Sequence, residues 1–420
     1  MRKLVGPATR VIDLRGQLLL PGFNDAHVHF MGIGNIFSSL DLRAVTSAEQ
    51  LEQQIRRYVQ FMPKGRWILG SGWKQAITPP AHVIDRLTPD NPLFIYEGGG
   101  SSAFANTAAM RAASLAGAEP SGIVTGATLR KIASSVPADH TRNWIQIAET
   151  ATNYAASLGV TSVQDMHSDD LRPVYRDLQN QGKLKTRVYD CISLPDWKKL
   201  TEATALDRKT EMVRGGCLKS FSEGDPADSS RLLRDAIPAD KAGFQLMVHA
   251  IGNSANGIVL DVFERIAKEN TNRDRRMRVE HAHNPRHDDL PRFPRLGIVA
   301  SIQPHLFEGS SGGYYLSRLK LRSMVAFGSD AAITDLNPLF GIHAAINAGT
   351  ESISIYDAVR AYTLDSAYAE FQEKQKGTIE VGKLADFVIL SDDIFSVDPL
   401  KIRDVTVVMT VVAGKVVYER

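Results

Sequence analysis

The ten residues Pro21-Gly22-Phe23-Asn24-Asp25-Ala26-His27-Val28-His29-Phe30 decide how the rest of the chain is read. The apolar triplet Leu18-Leu19-Leu20 leads into a Pro-Gly break, and Phe23 to Phe30 then has the length of a short buried strand. Side chains two apart on a strand share a face, so His27 and His29 can offer two imidazoles to one point. That pairing suits a divalent transition metal. A His-x-His alone fits one core and one exposed histidine equally well, so the case depends on partners further along.

Outward from that strand a rhythm develops. Strand-like segments follow at 160–163, 187–192, 217–221, 245–249, 278–281, 298–302 and 325–328. Helix-like stretches lie between most of them, such as 257–269, and another, 144–158, precedes the first. With the strand of His27 the count is eight, at about 30 residues per strand-helix unit, which predicts an α/β fold closed as a (β/α)8 TIM barrel. Residues 31–150 become a long insertion after the first strand. Within it 51–61 reads as a helix, 65–73 as a strand entering a Gly-rich turn, 93–96 as a strand and 103–115 as a helix. Gly98 to Gly100 form a flexible turn rather than a phosphate loop, because no Gly-Lys-Ser/Thr follows. The tail (377–390, 405–412, 415–418) reads as short strands in a small β subdomain, with which residues 9–20 would pair, since Thr9 to Leu14 is strand-like. The division expected is 1–20 with 375–420 as the subdomain and 21–374 as the barrel.

Composition bounds the function. The 420 residues are 43% hydrophobic and 23% charged with a formal net charge of +2, ordinary for a soluble enzyme. Without a Lys/Arg block to track phosphates, nucleic acid is not expected as a partner. Cys191 and Cys217 are the only cysteines, so no disulfide framework is expected and a reducing, cytoplasmic compartment fits. Met1 to Pro7 lacks the apolar stretch of a secretory signal, and no apolar run reaches membrane-spanning length, so no membrane is expected either. A small-molecule substrate is the expected partner, with a homo-oligomer left open.

Candidate ligands fall at or near the ends of the predicted strands, the face where barrel enzymes place their chemistry. His27 and His29 close the first, Lys219 lies late in the fourth, and His249, His281 and Asp330 end the fifth, sixth and eighth. Trp73, Gln164, Asp165, Gln303 and His305 fall on or after strand ends and could line a substrate pocket; packing or loop hydrogen bonding would account for them equally. His343, near a helix start, reads as structural.

These residues, in this order, resemble the amidohydrolase superfamily, and more closely its amidohydrolase-3 (YtcJ-like) branch. Pro-Gly-Phe-x-Asp-Ala-His-Val-His at 21–29 is similar to its strand-one motif. Gly159-Val160-Thr161-Ser162-Val163-Gln164-Asp165-Met166, His249-Ala250-Ile251-Gly252, Arg278-Val279-Glu280-His281-Ala282, Gly328-Ser329-Asp330 and Gly382-Lys383-Leu384-Ala385-Asp386 are similar to its later signatures. The resemblance implies a distorted barrel with a β-sandwich from both termini, expected here to be truncated at its N-terminal side. It also implies hydrolysis of amide or related C–N bonds. His27 and His29 would hold one metal with Asp330, and Lys219, as an N-carboxylated lysine, would bridge to a second held by His249 and His281. Zinc is the metal expected, with manganese or iron as alternatives. His283 would stand behind His281 rather than bind.

The chemistry asks for the same set. An ammonium cannot bind a cation, so Lys219 becomes a ligand only as a CO2-derived carbamate; an ion pair is the other reading of it. Asp330 would serve as general base toward water and then as acid toward the leaving nitrogen. The same site could open esters, lactones or phosphotriesters, and a binding or regulatory protein could keep the barrel without turnover.

Overall fold

A computed structural model describes residues 5–7, 9–36, 40–97, 102–115, 121–137, 144–200, 212–308, 316, 319 and 323–420. Eight strands form a parallel sheet that curls almost into a closed barrel: β2 (Phe23–Val28), β8 (Val160–Met166), β9 (Arg187–Ser193), β10 (Val213–Ser222), β11 (Gln245–Ile251), β12 (Arg278–His283), β13 (Val299–Ile302) and β14 (Met324–Phe327). Their order follows the chain from β2 to β14, as successive strand-helix units require. Helices such as Trp144–Ser157 and Asn253–Glu269 cover the outside. The expected eight-stranded barrel is therefore present.

β1 (Leu18–Pro21) belongs to a separate antiparallel sheet with β15 (Phe387–Leu390), β16 (Val407–Val412) and β17 (Lys415–Glu419). Gly22 is the joint between the two sheets. A Cβ there would lie 2.2 Å from the Thr161 side chain, so only glycine lets the chain pass so close to β8. Asp386, last residue of the Gly-Lys-Leu-Ala-Asp motif, accepts from Arg187 of β9 at 2.6 and 2.9 Å and ties this sheet to the barrel. This separate antiparallel sheet, built from both ends of the chain, is the small β subdomain expected. Of residues 9–20, expected to pair with this sheet, Leu18 to Leu20 do so within β1, against β15, while 9–14 form no strand. Val11 is exposed, and Leu14 packs against the cluster of Ile389, Met409 and Val411.

The insertion carries a third sheet, β3 (Leu40–Asp41), β4 (Ile68–Trp73), β5 (Leu93–Glu97), β6 (Ser102–Ala105) and β7 (Ile123–Thr125). The helices expected at 51–61 and 144–158 are present as Ala48–Val59 and Trp144–Ser157. The helix expected over 103–115 is not continuous. Its first residues pair antiparallel with β5 and β7, and Asn106 then caps a shorter helix, Thr107–Ala112, accepting from Ala109 N at 2.8 Å. The Gly98–Gly100 turn lies outside the described residues.

The cysteines also need correction: Cys191 and Cys217 form a disulfide. They stand in register on the neighbouring strands β9 and β10, with Cα atoms 4.7 Å apart, inside the reach such a bond requires. Two widely spaced cysteines carry no sign of that register in the sequence.

Candidate metal centre

The two histidines of β2 differ in burial: His27 is wholly enclosed, while the His29 side chain is 36% exposed. Nδ1 of His27 donates to Glu280 Oε2 at 2.6 Å. Glu280 is itself gripped by Arg278 at 2.7 and 3.0 Å, and Arg278 also reaches Gln164, the Ala26 carbonyl and Ser301 Oγ. Burial alone would raise the Glu280 pKa, but Arg278 and His27 hold it far below the usual carboxylate range, so an anion faces His27 at neutral pH. That anion keeps the proton on Nδ1 and turns the Nε2 lone pair toward the barrel axis.

His281 is oriented in the same way, its Nδ1 donating to Gln303 Oε1 at 2.7 Å. His281, Ala282 and Asp330 all adopt the left-handed region, with φ of 68°, 44° and 59°. Side chains rarely accept that conformation, and it tends to persist where neighbouring structure holds a functional group in place. Burial first, then neighbouring cations, pushes His27 down to about 3, and burial also pushes His249 and His281 down to about 4. All three are neutral imidazoles near pH 7, the form that binds metals.

Asp330 completes the cluster. Its Oδ1 lies 3.5 Å from His27 Nε2 and 3.3 Å from His29 Nε2, yet it is buried and makes no hydrogen bond. Ligand atoms of His27, His281 and Asp330 all lie within 4.8 Å of one another, close enough to share one cation. Lys219 Nζ is 3.5 Å from His27 Nε2, and burial lowers this lysine to about 8. The His249 ring lies 4.5 Å from that of His281. An unpartnered buried carboxylate oxygen among neutral imidazoles is the donor set that a divalent cation fits.

The other candidates stand elsewhere. Gln164 and Asp165 are neighbours on β8 and so face opposite sides. Gln164 points inward to Arg278 and the Ser366 carbonyl. Asp165 points outward, accepting from Phe30 N at 2.8 Å and Tyr175 Oη at 2.6 Å. Trp73 is buried in the insertion, its Nε1 donating to Thr78 Oγ1 at 2.6 Å and its ring against Phe104. Gln303 acts on His281, as described above. His305 lies beyond β13, with Nε2 at 2.6 Å from Thr334 Oγ1 and 3.0 Å from the Asp335 carbonyl. His343 sits near Glu308 at 3.3 Å. The sequence reading did not assign Glu280 or Arg278, although two opposite charges two residues apart on an apolar strand are a visible sign of a buried pair.

A model described as the amidohydrolase family matches residues 10–418. The chain belongs to that family. The chain is 27% identical to the putative amidohydrolase YtcJ of Bacillus subtilis, over all of this chain and 92% of that one. It is 25% identical to the N-substituted formamide deformylase of Arthrobacter pascens, again over all of this chain and 92% of the other. Among solved structures it resembles an uncharacterized metal-dependent hydrolase from Pyrococcus horikoshii, with a TM-score of 0.64 and 25% identity over 93% of this chain and 89% of that one. The chain is similar to each of these along nearly its full length. No helix among its described residues is long and apolar enough to cross a membrane.

Proposed function

We propose that this amidohydrolase hydrolyses a C–N bond of a small-molecule amide or cyclic amide at a divalent metal centre, zinc being the first choice. The observation that carries the reading is the convergence of His27, His281 and Asp330, with His29, Lys219 and His249 around them. His27, His29 and Asp330 would hold one ion, and His249 and His281 a second. When bound, such metals lower the pKa of water toward neutrality and polarise a carbonyl oxygen. Lys219 would join the two sides as a carbamate, formed when its neutral amine adds CO2 and releases a proton. Its lowered pKa increases the fraction of that amine at pH 7. Asp330 would accept the proton of the attacking water and return it to the leaving nitrogen, because an unprotonated amine leaves poorly. Glu280 and Gln303 keep His27 and His281 in the tautomers this requires. The A. pascens relative, named for N-substituted formamides, makes N-acylated amines the first substrates to try.

Elemental analysis of the purified protein should find bound Zn, Mn or Fe. A screen of N-acyl amines and cyclic amides should find turnover that chelation abolishes and metal restores. Replacing Asp330 with Asn should lower kcat by at least about a hundredfold. Bound metal with turnover of lactones or esters only would redirect the reading to those bonds, and a metal-free, inert protein would leave a binding function.

A further inference from the structure

Two large apolar side chains stand uncovered beside the candidate ligands. Phe221 is 47% exposed and Ile251 is 40% exposed. Neither lies in a loop: Phe221 is on β10 two residues beyond Lys219, and Ile251 ends β11 two residues beyond His249. The period of two places each on the same face as the candidate ligand below it, one step nearer the mouth of the barrel. Phe221 pairs with His249 in the parallel ladder, their rings 5.5 Å apart, and Lys219 Nζ lies 4.8 Å from the Phe221 ring. Arg231 donates to the Phe221 carbonyl at 2.6 Å, so the backbone that carries the ring is held at both the ladder and the carbonyl.

Aromatic and aliphatic groups held rigidly in the open leave apolar area in water that a ligand can remove. A site selecting a second charge or a sugar-like group would set polar side chains at these two positions. We propose that Phe221 and Ile251 form the specificity wall of the site, so that its substrates carry a compact alkyl or aryl group on the side of the scissile bond facing β10 and β11. This rests on the metal-site reading above, whose chemistry it extends to a substrate class.

The probes are acetohydroxamate and hexanohydroxamate, which share a metal-binding head and differ only in apolar chain. On the metal-loaded protein, calorimetry should find the longer one tighter by roughly tenfold or more. Phe221→Ala and Ile251→Ser should each cut that ratio severalfold, whereas Phe221→Leu should keep most of it. A ratio near one in the wild type, or a ratio that neither variant changes, overturns the wall. Metal content and amide turnover, measured on the same samples, test the hydrolase reading separately. An intact, variant-sensitive ratio without turnover would leave the wall standing and remove the amidase. Failure to bind either probe despite bound metal would remove the wall.

Discussion

Glu280 decides which nitrogen of His27 is available. Its carboxylate accepts from Nδ1 and is pinned from behind by Arg278, so the imidazole has one tautomer open to it. A glutamine in its place would give Arg278 the carbonyl oxygen and turn its amide N–H toward Nδ1. That would drive the proton to Nε2 and occupy the lone pair meant for a metal. Glu280→Gln should therefore weaken metal affinity by roughly 10–100-fold, read by titration against a competing chelator. An unchanged affinity would mean that His27 is not a ligand through Nε2. The role was half legible in the sequence. His27 and His281 could be picked out because several histidines, a lysine and an aspartate fall together at the ends of the predicted strands. Glu280 stood in a quoted motif without a role, because nothing in a one-dimensional pattern says that β12 lies across the barrel from β2.

The strand count was legible because each barrel strand is a short apolar run between turn signals at a regular period. How the barrel closes was not. The parallel sheet has no ladder between β14 and β2, and the seam is held by other bonds. Asp330 N donates to the His27 carbonyl at 2.7 Å, and Ser329 N to the Asp25 carboxylate at 3.1 Å. Burial raises that carboxyl to about 7. Gly328 makes the approach possible, since a Cβ on it would fall 2.4 Å from His27 N. Replacing Gly328 with Ala should destabilise the fold by about 1–3 kcal/mol and, by shifting His27, also reduce bound metal. Thermal unfolding and metal content check the two effects. A normal Tm with full metal would show that the seam does not govern the ligand. The failed elements have local causes. Residues 103–115 are rich in alanine and read as helix, yet the first of them fill a vacant place between β5 and β7. Gln164 and Asp165, neighbours on β8, face opposite ways, Gln164 toward Arg278 and Asp165 toward Tyr175.

At the scale of the whole molecule, the chemistry gathers at one end of the barrel and a second ionic cluster closes the other. Glu370, just past the helix Leu364–Ala369, accepts from Asn24 of β2 at 2.8 Å, from Lys376 at 2.7 Å and from Arg214 of β10, while Lys376 donates to Ser162 of β8 at 2.6 Å. Two barrel strands, a third through Lys376, and the segment leading to the terminal sheet are thus tied to one buried carboxylate. Burial would raise its pKa, but Lys376 and Arg214 outweigh burial and hold it below the ordinary value. A carboxylate with a lowered folded-state pKa contributes stability that is fully present above its unfolded pKa of about 4.3 and is lost as the pH falls below it. Replacing Glu370 with Gln should cost about 3 kcal/mol at neutral pH, because the buried Lys376 and the half-buried Arg214 lose their counter-charge. Metal affinity should not change, since the cluster lies at the opposite end from the ligands. The stability curves of wild type and variant should converge on acidification below about pH 4 as the native carboxylate is protonated. Denaturant unfolding from pH 7 to pH 3 measures this. A gap of constant size across that range would show that Glu370 acts through packing rather than charge.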